Sequence, residues 1–242
     1  MKTKTTAELQ KLVAQYDSVM EVMEHNAAKS MRDDNRAYGG FVRAAKGKMQ
    51  EFITESLIRV AWDVEMAADP SRLIVNSEKI KIPIQKSYID AIKDSRLKKY
   101  ITANMTRHTY GLSVDKHVFI DRKFFLGIEC KAYTENAMIK RILVDFYLLK
   151  TRFPNLHCFL FQLESQLGGD YSTAGRYPLG SFPTHTIMSY FQNVDLNIVT
   201  LLEGERKVDR PINKPDFFKP LKVEHLETAV GYLLESLNGV FK

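Results

Sequence analysis

The chain has 242 residues, 45% of them hydrophobic and 26% charged, with 35 lysines and arginines against 29 aspartates and glutamates and a net charge of +6; its pI is about 9.1. That length fits one domain, or one domain with an added subdomain, and can bury a sizeable core. No apolar stretch approaches the roughly 20 residues of a membrane span, and the opening M-K-T-K-T-T-A-E-L lacks a signal peptide's apolar region, so a cytoplasmic protein with no membrane partner is expected.

The basic excess is compatible with a nucleic-acid partner but proves none, since the favourable term comes from clustered charge that displaces counterions. The two cysteines, Cys130 and Cys158, both fall in predicted strands and have neither a disulfide framework nor metal-ligand spacing, which predicts reduced core thiols. The six histidines show no recurring spacing, and zinc is not expected.

From Thr6 to about His25 the apolar positions Leu9, Leu12, Val13, Tyr16, Val19, Met20 and Met23 follow helical spacing. This N-terminal helix, within residues 1–28, is expected to pack on the core, with a second subunit as the alternative partner. Residues 29–48 then hold Lys29, Arg32, Arg36, Arg43, Lys46 and Lys48 around Tyr38, Gly39 and Gly40. Basic side chains on a glycine-containing segment suit a loop that contacts phosphates; a solvated charged loop is the alternative. Over residues 47–62 a second helix is predicted, with Met49, Phe52, Ile53, Leu57 and Val60 as its apolar stripe and Glu51 and Glu55 one turn apart on another face.

Between Asp69 and Tyr110 the pattern predicts a Pro-Ser turn, a short strand around Ile80–Ile84 and a helix from Ser87 to about Met105. Lys93, Arg96, Lys98 and Lys99 make that helix basic, either solvated or flanking DNA. Two apolar runs, Val118–Ile120 and Phe124–Ile128, flank Asp121-Arg122-Lys123 and predict a β-hairpin that ends in Glu129-Cys130-Lys131.

Period-two alternation puts Leu126, Ile128 and Cys130 on one face with Val118 and Ile120, and Glu129 and Lys131 on the other with Asp115. Both apolar faces point the same way only if opposed residues have numbers summing to an even value, because a one-residue slip reverses every side chain. A three-residue turn is the simplest solution. It sets Glu129 or Lys131 opposite Asp115, with facing Cβ atoms about 4.5–5.5 Å apart. Asp121 lies some four residues from that point, roughly 13 Å at about 3.3 Å per residue, and is assigned to the turn.

Next, residues 135–150 carry Met138, Ile142, Leu143, Phe146 and Leu149 at helical spacing, with Lys140 and Arg141 near the helix start. Residues 156–163 then read as a nearly all-apolar central strand. Strand, helix, strand implies a right-handed parallel crossover and an α/β fold with a mixed sheet. Residues 164–186 are rich in Gly, Ser, Thr and Tyr and leave the C-terminal end of that strand, where α/β sheets tend to bind ligands. Gln166, Asp170, Ser172, Thr173 and Arg176 there are side-chain types that read base edges. A helical turn near Ile187–Tyr190, a last strand at Leu196–Leu202 and a closing amphipathic helix at 223–238 complete the chain. No internal repeat, phosphate-binding glycine loop or dinucleotide fingerprint occurs.

An aspartate, an intervening hairpin, then Glu-x-Lys at the end of an apolar strand resembles the PD-(D/E)xK nuclease core of many type II restriction endonucleases, over roughly residues 43–161. Asp115 matches the family's aspartate, Glu129 its second acid and Lys131 its lysine; Val114 stands where a proline often precedes the aspartate.

The resemblance implies a restriction-endonuclease-like core, a mixed β-sheet flanked by helices on both faces, with residues 43–163 as the catalytic core of a single nuclease domain. It also places a glutamate of the 47–62 helix beside the site, and the spacing from Gly47 favours Glu51 over Glu55. Asp115, Glu129 and Glu51 would hold Mg²⁺, for which Mn²⁺ can substitute, and Lys131 would orient or deprotonate the attacking water. Arg43, Lys46, Lys48 and Lys140 are candidate phosphate contacts, and residues 164–186 the recognition loop.

The activity implied is sequence-specific cleavage of double-stranded DNA by a homodimer, in a bacterial or archaeal cytoplasm. Alternatives are a repair, junction-resolving or transposition nuclease on the same core, and a basic DNA-binding protein without catalysis. The last requires Asp115, Glu129 and Lys131 to lie more than about 8 Å apart.

Overall fold

The computed structural model of the chain describes residues 1–30, 35–172, 181–210, 212 and 214–241, with the side chains of 26–39 and 240–242 outside the description. Five strands form the main sheet: β1 (Leu73–Asn76), β4 (Lys116–Ile120), β5 (Lys123–Glu135), β6 (His157–Gln166) and β7 (Leu196–Thr200), in the order β1-β4-β5-β6-β7. β1, β4 and β5 pair antiparallel and β5, β6 and β7 parallel, so the sheet is mixed, as the strand-helix-strand succession predicts. A separate two-stranded sheet pairs β2 (Ile80–Pro83) with β3 (Thr109–Leu112).

Both faces of the main sheet are covered. On one lie α1 (Thr3–Ser30), α2 (Asn35–Arg59) and α7 (Val223–Leu237), whose Leu9, Tyr16, Ile53, Leu57, Leu226 and Leu233 pack with Val118, Ile128, Phe159 and Phe161. On the other lies α5 (Asn136–Arg152), whose Ile139, Ile142, Phe146 and Leu149 share a core with Cys158, Leu160, Leu196 and Ile198. Ile82 and Leu112 join this second core and seat the small sheet against it. Both cysteines are free and buried, as expected.

The β4–β5 hairpin keeps the predicted facing but reaches it by another route. Ile120 pairs with Lys123 across Asp121 and Arg122, whose φ angles are 49° and 65°. A turn with positive φ at both central residues has the type I′ geometry that matches strand twist. The turn is therefore two residues, not the expected three, and it would leave the apolar faces opposed. A bulge corrects this: the register passes from Phe119↔Phe124 to Val118↔Leu126, leaving Phe125 as the extra residue. Val118, Ile120, Leu126, Ile128 and Cys130 then all enter one core. Asp121 belongs to the turn, where Arg72 Nε and Nη2 donate to its two carboxylate oxygens at 2.9 and 2.6 Å.

Other expectations need correction. The basic segment 35–48 continues α2 upstream and is helical rather than a loop. A helical path places Lys46 on the buried face with Val42, Gln50 and Ile53. The basic helix expected over 87–105 is two helices, α3 (Lys86–Ala91) and α4 (Ser95–Ala103), because Asp94 caps a new helix by accepting from Leu97 N at 2.8 Å. Residues 164–166 of the expected recognition loop belong to β6, and Phe182–Ser189 forms α6, capped by Ser181. β1 and β3 are additional strands.

The interface of α5 with β5 is tight at Gly127, where a Cβ would lie 2.9 Å from Phe146 Cε1 and 3.5 Å from atoms of Leu156 and Phe124. Gly127→Ala is therefore expected to lower stability by about 1–3 kcal/mol through overpacking; a urea unfolding midpoint equal to that of the parent would contradict the packing described.

Candidate active site

Asp115 lies just before β4, and its approach is fixed by a buried latch. His117 Nε2 accepts from Val114 N at 3.1 Å, and burial pushes the His117 pKa down to about 4. The imidazole is thus neutral, with its proton on Nδ1. The register Lys116↔Ile128, continued by one residue, sets Asp115 opposite Glu129. There Asp115 Oδ2 accepts from Cys130 N at 2.7 Å and from Lys131 Nζ at 3.2 Å. Lys131 Nζ also donates to Glu129 Oε1 at 2.5 Å and to the Cys130 carbonyl at 3.1 Å. One ammonium thus links two carboxylates across two strands, far inside the separation that a dispersed, purely binding arrangement requires.

The cluster is half-buried: the side chains of Asp115, Glu129 and Lys131 are 31%, 16% and 31% exposed. Burial, and after it the charge of Asp115, raises the Glu129 pKa above the ordinary carboxylate value. Burial works against the Lys131 ammonium, but the charges of Glu129 and Asp115 more than offset it, and its pKa lies above the ordinary lysine value. Asp145, on the face of α5 turned to the sheet, adds a further negative charge that acts on Glu129 and Lys131. Burial raises its own pKa against the pull of Arg141 and Lys131. Asp145 is absent from the residues singled out by sequence, although an acid at the helical spacing of Ile142 and Leu149 interrupts an apolar stripe and signals its position.

The α2 glutamates sit differently. Glu51 is held by Lys48 at 3.0 Å, and Glu55 by Lys116, the neighbour of Asp115, at 2.8 Å. Among the described residues no three His, Cys, Asp or Glu side chains lie together in a metal-holding group, and the structure does not bring Glu51 into one group with Asp115 and Glu129. Toward β5, α2 presents instead the buried pair Gln50 and Thr54, linked at 3.3 Å, with Thr54 against the Cys130 thiol.

Of the candidate DNA contacts, Arg43, Lys48 and Lys140 are exposed. Lys46 is not: it is fully buried, with its Nζ 4.2 Å from the Phe218 ring centroid and without a hydrogen-bond partner among the described residues. Gln166 accepts from Arg206, which stacks on Tyr133 at 3.9 Å. Asp170 accepts from Ser172 N and Gly204 N at 2.9 and 2.8 Å, and Ser172 is buried. These three side chains bond to partners within the fold. Thr173 and Arg176 lie outside the described residues, as do the side chains of Lys29, Arg32, Arg36 and Tyr38. On the flanks of residues 173–180, Ser181 N donates to Leu167 O at 2.8 Å and Gly168 has a φ of 82°.

A mixed sheet flanked by helices, with two carboxylates and a lysine on its central hairpin, defines an α/β protein with a restriction-endonuclease-like fold. No family model matches the chain, and no solved structure does. Over 240 residues, covering 99% of this chain and 100% of the relative, the sequence is 75% identical to the type II restriction enzyme DdeI of Desulfomicrobium norvegicum. The chain belongs to the type II restriction enzyme family of that relative. Among the described residues no helix is long and apolar enough to cross a membrane.

The burial of Lys46 yields a test. Burial lowers its pKa to about 8 despite the opposing charge of Glu164, against an ordinary value of 10.5. Below pH 8 the ammonium is charged in both folded and unfolded states, and the folded state bears the full cost of burying it. As pH rises from 8 through 10.5 the folded state sheds the proton first, so the cost disappears. Lys46→Met is therefore expected to raise the melting temperature at pH 7, with the gain shrinking toward pH 10.5. A variant less stable than the parent across that range would contradict this.

Proposed function

We propose that the protein is a divalent-metal-dependent endonuclease of the PD-(D/E)xK type, hydrolysing phosphodiester bonds at a specific sequence in double-stranded DNA. The observation that carries this reading is the Lys131 ammonium joined to both Asp115 and Glu129, on the β4–β5 hairpin of a chain 75% identical to a type II restriction enzyme. Family membership supports restriction activity; the metal, the residue roles and the oligomer are the further reading.

The donor chemistry fits Mg²⁺. Asp115 and Glu129 offer hard carboxylate oxygens in a partly open site, and the intervening Cys130 turns its thiol into the hydrophobic core on the other face of the strand, so the site presents no soft donor. We assign the ion to Asp115 and Glu129; Glu51, the α2 candidate for a further ligand, is paired with Lys48. When bound, such an ion lowers the pKa of a coordinated water and relieves charge on the phosphate.

The protein's own groups supply the rest. Cys130 N fixes Asp115 through Oδ2, so the carboxylate cannot swing away from Glu129. Lys131, already aligned between the two acids, donates to the water or to a phosphate oxygen and steadies the charge that develops there. In the reaction a water oxygen forms the new bond to phosphorus as the bond to one ester oxygen breaks. A homodimer suits a two-strand cut, because symmetric sites call for symmetric proteins.

Glu129→Ala and Lys131→Ala are each expected to lower the cleavage rate of duplex DNA by about 10²–10³-fold or more while binding in Ca²⁺ persists. The parent should cut phage DNA to discrete fragments with Mg²⁺ or Mn²⁺, and lose the activity with a chelator. Retained cleavage by both variants would overturn the assignment.

A further inference from the structure

The net charge of the molecule is concentrated in one place. Residues 79–112 hold eight lysines and arginines against two aspartates, a net +6 that equals the charge of the whole chain. Removing them from the totals of 35 and 29 leaves 27 basic against 27 acidic residues, so the remainder is neutral. This segment is also a structural unit: β2, α3, α4 and β3, with the two-stranded sheet closing its ends. None of its eight basic side chains is ion-paired to a carboxylate among the described residues. Seven of the eight are exposed, and Lys98 is half-buried, donating to the Asp90 carbonyl at 3.0 Å.

The unit is thinly packed and leaves amphipathic side chains outside. Tyr88, Tyr100 and Tyr110 are 57%, 62% and 59% exposed. Its buried residues number four, Ile82, Ile89, Ile101 and Leu112, and two of these seat it on the α5 core. The outgoing strand β3 ends at Leu112, three residues before Asp115, so its end lies within roughly 11 Å of the candidate catalytic aspartate along an extended chain.

We propose that this unit is a docking surface for the sugar-phosphate backbone of duplex DNA, flanking the site; the proposal rests on the nuclease reading above. An uncompensated +6 on 34 residues is electrostatically suited to a polyanion, where displaced counterions supply the binding free energy. Exposed tyrosine hydroxyls and lysine or arginine heads are donors that phosphate oxygens accept, and such contacts set register without reading sequence. A second copy of the same unit is a poor occupant, because two surfaces of +6 repel.

The test uses the full chain, a fluorescently labelled random-sequence duplex, Ca²⁺ in place of Mg²⁺ and a KCl series. Arg96→Gln with Lys99→Gln, on one exposed face of α4, is expected to make the dependence of log K on log salt shallower by about 1.8, or about 0.9 per lost phosphate contact. Lys4→Gln with Lys11→Gln on α1, an equal change in charge, should keep the parental slope. An unchanged slope in the α4 variant, or an equal loss in the α1 variant, overturns the proposal. So does a shift of the α4 variant from dimer to monomer in sedimentation without a change in slope, which marks a subunit contact. If the α4 double variant fails to fold, Lys93→Gln, exposed before α4, carries the same test with a change of about 0.9. A parent chain that binds no duplex at all refutes the nuclease reading itself, and this surface with it; a binding parent with an unaffected α4 variant refutes the surface alone.

Discussion

The register of β4 on β5 is the constraint on which the rest of the molecule depends. A strand has a strict period of two, so a slip of one residue between these strands would expose Ile128 and Cys130 and bury Glu129 and Lys131 without partners. The chain holds the register from both ends. At the turn, Asp121 and Arg122 take positive φ and Arg72 clamps the Asp121 carboxylate; at the other end, Asp115 accepts from Cys130 N and Lys131. Between them the bulge at Phe125 absorbs the one-residue mismatch that a two-residue turn creates. The group that gives the site its chemistry is therefore also one of the two clasps of the sheet.

That double duty explains how α2 packs. Where β5 turns polar, a helix behind it needs side chains that tolerate a charged neighbourhood, and Gln50 and Thr54 stand there rather than leucines. Further along, Lys46 and Glu164 are both buried, with Lys219 reaching Glu164 at 3.4 Å. Charges taken from water in this way seldom repay the desolvation. They lie at the C-terminal ends of the parallel strands, where Gln166, Arg206, Asp170 and Gly204 also bond to one another. This network joins segments on either side of residues 173–180, and Thr184 bonds both the Leu167 carbonyl and Asn136 at the start of α5.

Period-two and period-3.6 patterns made several elements legible. The hairpin faces, the parallel crossover through α5 and the bounds of α7 follow from apolar spacing alone, and spacing also brought Asp115, Glu129 and Lys131 to one place. The failures have separate physical causes. Residues 35–48 read as a loop because Gly39 and Gly40 each cost a helix about 1 kcal/mol, yet Val42 is buried and Ala45 and Met49 pack against the same core, which outweighs it. β1 is four residues, too short for alternation to show, and exists because β4 offers it an edge. The partners that Gln166 and Asp170 take within the fold, Arg206 and Ser172, carry no mark in the sequence, because long-range side-chain bonds have no period.

The charge distribution follows from the same division of labour. Asp115, Glu129 and Asp145 outnumber Lys131 and Arg141 around the candidate site, so a phosphate backbone approaching it meets a local excess of negative charge. Across water at physiological salt that repulsion fades within about 8 Å, but the scissile phosphate must come closer than this. The carboxylates cannot be diluted with lysines, because each added ammonium would compete for the oxygens proposed to hold a cation. The compensating charge has to sit outside the pocket yet within reach of the same duplex, and the neutral remainder of the chain does not supply it. A small basic unit joined to the site by the two residues Ser113 and Val114 meets both conditions: it adds attraction along the backbone while leaving Asp115 and Glu129 to a single ammonium.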